Sequence, residues 1–145
     1  MKNINLFVYG SLREGFFNYD KYLLGKVSKN IDAKLTNMRL YHMPYKGYPA
    51  ITHGEDEVFG EIIVIDEGQY EDTMKAMDEM EGFISENNPE NEYHKVILEV
   101  ENLETNEKEK CFVYFYNKDK DIDFEDKAEH IPSGDWKSYM LNNIK

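Results

Sequence analysis

The chain has a single cysteine among its 145 residues. No disulfide can form within it, which fits a reducing cytoplasm. Basic residues are also scarce: 17 Lys and Arg stand against 29 Asp and Glu, giving a formal charge of −12 at pH 7. A field of that sign repels phosphate backbones and anionic bilayers, so neither nucleic acid nor membrane is expected as a partner. No apolar run approaches the roughly 18 residues that a membrane-crossing helix requires. No basic segment followed by an apolar stretch opens the sequence either, and the expectation is a protein that is neither exported nor membrane-spanning.

Aromatic residues are plentiful, with eleven Tyr and eight Phe, and the hydrophobic share is 41%. Such a chain can bury enough apolar surface to offset its ordering entropy. Its length suits one domain, residues 1–145, with a real core, and no repeat or linker divides it. A strand is expected over Ile4 to Tyr9, a short helix over Asn18 to Gly25, and extended segments over Ala33 to Met43 and Tyr48 to Gly54. "VFGEIIVID", Val58 to Asp66, is the clearest buried strand, where Gly60 marks a bulge or a close approach. Tyr93 to Asn102 and Lys110 to Asn117 should pair as a hairpin, and a terminal helix should follow Pro132. Connections too tight for βαβ crossovers predict a largely antiparallel sheet or small barrel with peripheral helices. Ser85 to Glu92 and Asn117 to Glu129 read as mobile segments.

Two places break the pattern. In "LFVYGSLREG" an apolar strand ends abruptly in Tyr9, Gly10, Ser11 and Leu12. That is either a tight turn or a loop of backbone N–H groups able to hold an anion, with Arg13 at its rim or simply on the surface. In "QYEDTMKAMDEMEGF", Tyr70, Met74 and Met77 fall at i, i+4 and i+7 and form an apolar helix stripe. Four residues further on, the stripe lands on Glu81, just before a glycine stop. Asp78 and Glu79 point elsewhere, as solvated charges. An acid at the negative end of a helix dipole, aimed at an apolar interior, should have its charged form disfavoured and its pKa raised. Glu81 is then either a base with a raised pKa or a carboxylate at a frayed end, turned to water.

Taken with these two features, the chain resembles the gamma-glutamylcyclotransferase-like family. The shared pieces are the Tyr9–Gly10–Ser11–Leu12 turn, "GYPAI" at Gly47 to Ile51, "VFGEIIVID", "MDEMEG" with Glu81 at the position of the family's catalytic glutamate, Tyr93 opening the next strand, and "SGDWKSY". "YGSLREG" followed by Asn18 is most similar to the branch of gamma-glutamylamine cyclotransferases and their small bacterial relatives. The loop before Tyr93 is longer than the family pattern, which leaves the placement of Tyr93 and any gate formed by that loop open. The resemblance implies an α+β fold, a small mixed, largely antiparallel β-barrel with peripheral helices. It also implies an enzyme that cyclises a gamma-glutamyl group to 5-oxoproline, releasing a small amine or peptide.

In that chemistry Glu81 is the general base, and Tyr9, Gly10, Ser11 and Leu12 bind the substrate's carboxylate or oxyanion. Tyr93 and Tyr114 shape the pocket, although core packing is an equal fate for Tyr114. No metal or cofactor is required, because nucleophile and electrophile belong to one molecule. The expected partner is a small gamma-glutamyl molecule, and the expected assembly a monomer or homodimer. The rival is a non-catalytic module that binds a small carboxylate or gamma-glutamyl ligand. Other motifs carry less. "DKDIDFEDKAEH" lacks the glycine and the final glutamate of a calcium loop. His42, His53, His94 and His130 lack metal-ligand spacing, Cys111 reads as an inert core thiol, and "YGSLREG" is no P-loop.

Overall fold

The structure, a computed structural model, describes residues 4–10, 12–13 and 15–143. Ser11, one of the expected binding residues, lies outside the described residues. Seven strands and four α-helices alternate unevenly: β1 (Leu6–Val8), α1 (Phe17–Tyr22), β2 (Val27–Met43), β3 (Tyr48–His53), β4 (Asp56–Ile65), α2 (Tyr70–Met80), β5 (Tyr93–Asn102), β6 (Lys108–Tyr116), α3 (Phe124–Lys127), β7 (Glu129–His130) and α4 (Trp136–Asn143). Five strands close a barrel in the order β2-β4-β1-β6-β5 and back to β2, with β3 and β7 added along β2. Only β1 and β6 pair in parallel; the other pairings are antiparallel. The expected small, largely antiparallel barrel is therefore the fold. No helix among the described residues is long and apolar enough to cross a membrane.

Strand alternation sorts the apolar residues into two layers. Phe7, Ile31, Leu35, Ile62, Val100 and Val113 belong to one cluster that draws on every barrel strand. Leu6, Val8, Ile63, Tyr93, Tyr114 and Tyr116 face the opposite way, where Tyr19 of α1, Leu23 at its C-terminal cap, and Met74 and Met77 of α2 cover them. The expected alternation in "CFVYFY" is borne out: Phe112, Tyr114 and Tyr116 share the helix-covered side, while Cys111 and Val113 lie on the other. Buried among apolar neighbours, the Cys111 thiol is pushed up to about 12, so it stays protonated.

Three expectations need correction. β2 is longer than its apolar part, because the polar segment before Ala33 finds register with the apolar β4, Ile31 opposite Ile62 and Val27 opposite Ile65. The segment Ser85 to Glu92 is not loose. Fully buried Asn91 accepts from the N–H of Ile84 at 2.6 Å and donates to the Ser85 carbonyl at 2.8 Å. The region after Asn117 is likewise built, with α3, β7 and an Asp121 carboxylate that accepts from the hydroxyls of Tyr45 and Tyr116.

Gly60 is a close approach and not a bulge. Its register with Ala33 is regular, and a Cβ there would sit 2.1 Å from the Val8 carbonyl oxygen. That neighbour is backbone at the root of the opening turn, so it can give little. Gly60→Ala should destabilise by about 1–3 kcal/mol or more in denaturant melts, the usual scale of overpacking. Gly68→Ala, where nothing lies within 4 Å of an added Cβ, should stay within about 0.5 kcal/mol of the parent. Equal stability of the two variants would contradict the close approach.

Candidate active site

Helix α2 ends where its apolar stripe predicts. Met74 and Met77 are buried and Tyr70 packs against the same cluster. Glu81 is the C-cap, its N–H bonded to the Met77 carbonyl at 2.9 Å. Gly82 turns the chain with φ of +70°, a conformation in which a side chain would be strained. The Gly82 N–H then reaches the Glu79 carbonyl at 3.2 Å and the Phe83 N–H reaches that of Asp78 at 2.9 Å, a complete Schellman closure. The helix end is therefore not frayed, and Glu81 cannot swing away with it.

The Glu81 side chain enters a cleft of about 600 Å³, its open mouth included. Phe7, Val8, Leu12, Pro49 and Met80 supply most of its apolar wall. Among the described residues no donor reaches the Glu81 carboxylate. Burial disfavours its charged form, the nearby Glu92 carboxylate adds to this, and the group is pushed up to about 8. Part of the residue remains exposed at the mouth, as a group that must exchange protons with a ligand requires.

Of the residues singled out from the sequence, Tyr9, Gly10, Leu12, Glu81, Tyr93 and Tyr114 all line this one cleft. The three tyrosine hydroxyls are engaged elsewhere. Tyr9 donates to the Tyr114 carbonyl at 2.6 Å, Tyr93 to the Pro49 carbonyl, and Tyr114 to Asp78 Oδ1 at 2.6 Å. Burial holds all three well above the ordinary tyrosine range, so they form neutral walls. Asp78 is thus not a simple solvated charge. Besides holding Tyr114 it pairs with Lys95 at 3.3 Å, because this side of α2 faces β5 and β6 and not open water.

The opening turn is closed by the Arg13 N–H on the Gly10 carbonyl at 3.0 Å. Neither the Gly10 nor the Leu12 N–H has a backbone acceptor among the described residues. A Cβ on Gly10 would meet the Pro49 ring at 2.5 Å, so glycine lets the end of β1 lie against β3. Arg13 is not a surface charge at the cleft's rim. It is buried, paired with Glu61 at 3.2 Å and Asp135 at 2.9 Å, and ties the turn to β4 and to the start of α4.

Among the lining residues that sequence reasoning missed are Tyr48 and Glu92, which act together. Tyr48 donates to Glu92 Oε2 at 2.8 Å, and Lys46 reaches the same oxygen at 3.1 Å. Glu92 stands beside Gly82, its N–H on the Gly82 carbonyl at 3.0 Å. The only hint in the sequence was its position directly before Tyr93.

The profile of a family described as gamma-glutamyl cyclotransferase, AIG2-like, matches residues 6–138. A Methanocaldococcus jannaschii protein provisionally named a gamma-glutamylcyclotransferase is 32% identical over 136 residues, covering 92% of this chain and 96% of its own. Among solved structures, an uncharacterised Pyrococcus horikoshii protein superposes with a TM-score of 0.61 at 22% identity, covering 97% of this chain and 95% of its own. YkqA from Bacillus subtilis gives a TM-score of 0.66 at 25% identity, with 97% of this chain matched to 42% of the larger protein. The family match spans the opening turn, Glu81 and Tyr93 alike, and the chain belongs to the AIG2-like gamma-glutamyl cyclotransferase family.

Proposed function

We propose that this protein converts a small gamma-glutamyl amine or peptide into 5-oxoproline and a free amine, with Glu81 as the general base. The observation that carries the reading is an unpartnered carboxylate, raised to about 8, inside a cleft just large enough for a small substrate. The alpha-ammonium of a gamma-glutamyl group sits beside its own alpha-carboxylate, so it is less acidic than a peptide N-terminus of roughly 8. A carboxyl raised to about 8 removes most of the gap that an ordinary glutamate would leave, which makes it the better general base.

In the proposed reaction Glu81 takes a proton from the alpha-ammonium, and the freed amine attacks the gamma-carbonyl carbon. A C–N bond forms and the carbonyl oxygen becomes an oxyanion. Collapse of that intermediate breaks the original C–N bond while Glu81 gives its proton to the leaving nitrogen. The ring nitrogen then sheds its second proton through Glu81 to the released amine, which departs as an ammonium and leaves Glu81 ionised again. No water and no covalent enzyme intermediate enter the balance. In this reading the N–H groups of Gly10 and Leu12, which have no backbone acceptor among the described residues, hold the substrate carboxylate or the oxyanion. The apolar walls and Tyr9, Tyr93 and Tyr114 restrict the substrate to folded conformers in which amine and carbonyl meet. A module that merely binds carboxylates would gain nothing from the Glu92 carboxylate in its cleft, since that charge repels such a ligand.

Glu81→Gln should lower kcat by roughly 10²- to 10⁴-fold in a 5-oxoproline assay, the usual value of a positioned base. Its thermal melt supplies an independent reading. A carboxyl raised to about 8 in the folded protein keeps a proton that the unfolded chain, near 4.5, has released. The parent therefore loses stability as pH rises through this window. The glutamine variant should equal or exceed the parent's Tm, by a margin that grows from pH 6 to pH 9. Near-parental activity, or a margin that shrinks with pH, would contradict the assignment.

The rate should be bell-shaped in pH. kcat/KM rises as free Glu81 ionises near 8 and falls at higher pH as the substrate ammonium is lost, placing the optimum above pH 8. Glu92→Gln removes a neighbouring negative charge, so the acid limb should move to lower pH. An acid limb below pH 6 in the parent, or one that Glu92→Gln leaves in place, would show that the base is not set by this environment.

A further inference from the structure

Glu92 is held more firmly than a loop carboxylate needs to be. Its Oε2 takes both the Tyr48 hydroxyl and the Lys46 ammonium, while nothing among the described residues donates to Oε1. The open oxygen belongs to a side chain that lines the cleft. Formal charge on that lining comes from Glu81 and Glu92 alone. The cations near at hand are committed elsewhere. Lys46 lies outside the lining, over the Tyr48 ring at 5.9 Å, and Arg13 is held by Glu61 and Asp135. Lys95 is held by Asp78 and lies over the Phe112 ring at 4.4 Å.

Position in the reaction then decides what Glu92 meets. Glu81 must touch both the substrate's alpha-nitrogen and the leaving nitrogen, and the opening turn takes the anionic end. Glu92 is bonded through its backbone to Gly82, the residue after Glu81, and with the glutamyl end taken by the opening turn it is the leaving group that is left to meet Glu92 in this reading. We infer that Glu92 is a specificity-determining residue that selects gamma-glutamyl amines whose leaving group carries a second ammonium over those whose leaving group ends in a carboxylate. The inference rests on the cyclotransferase reading and deepens it by naming the class of leaving amine. A pendant ammonium would complete Glu92 through Oε1 beside the Tyr48 ring, whereas a pendant carboxylate would face a like charge that Lys46 offsets only from the Oε2 side.

The test uses three gamma-glutamyl amides with leaving chains of equal length, ending in an ammonium, a methyl group or a carboxylate. The matching glutaryl amides lack the alpha-amine and cannot cyclise, so calorimetry with them reads recognition without chemistry. The parent should favour the ammonium over the carboxylate chain by about tenfold or more, in kcat/KM and in Kd alike. Glu92→Gln should bring both ratios to within about threefold of unity. Any effect of Glu92 on Glu81 itself acts on all three amides and cancels in the ratio. Lys46→Met, which removes the charge that partly offsets Glu92, should widen the preference and remains informative if Glu92→Gln folds poorly. Turnover with ratios that neither variant alters, or a parental preference for the carboxylate chain, would overturn the inference. Should no amide yield 5-oxoproline while the glutaryl ratios behave as stated, the cyclisation reading falls and the selectivity of Glu92 stands.

Discussion

The cleft depends on one backbone reversal, at Gly82. Its left-handed conformation lets the Gly82 and Phe83 N–H groups close the end of α2, which leaves Glu81 rigid at a helix terminus and aimed at apolar walls. The Gly82 carbonyl then receives the Glu92 N–H, so the loop that leaves the helix comes back to it. A Cβ on Gly82 would lie 2.8 Å from that of Glu92, and no other residue type combines this φ with so close a return. Both carboxylates of the cleft are set by this single closure.

Around that reversal no donor among the described residues reaches the Glu81 carboxylate. The nearest hydroxyls donate to carbonyls or to Asp78, the arginine closest in sequence to the turn is tied to Glu61 and Asp135, and Glu92 adds negative charge. In a protein selected for stability alone, one of these donors would face Glu81. Leaving it bare costs the folded state stability at alkaline pH, and under the proposed function it equips Glu81 to take a proton from an amine. The Arg13 network and buried Asn91 offset some of that cost by fixing the two loops that frame the cleft.

Local pattern was enough to read much of this. Residues 70–81 carry their own helical period and a glycine stop, so the direction of Glu81 follows from counting. The turn after β1 and the alternation around Tyr114 are legible in the same way. What failed to show were features fixed by partners far along the chain. Arg13 meets Glu61 and Asp135, 48 and 122 residues away. Asp78 faces a hairpin that begins at Tyr93, and the first half of β2 is polar and becomes a strand only against β4. Glu92 lies in a stretch of Asn, Pro and Glu whose composition reads as loose. Its order comes from Asn91 inside the loop and from Tyr48 across the cleft.

The account turns on the ionisation of one side chain, which can be measured without any substrate. Carboxyl-labelled glutamate, with Glu81→Gln to assign the signal, would give the Glu81 titration directly by carbon NMR. The account predicts a midpoint close to 8. A midpoint near the ordinary value of 4.5 would mean that water or a donor reaches the Glu81 carboxylate after all, and the base described here would not exist.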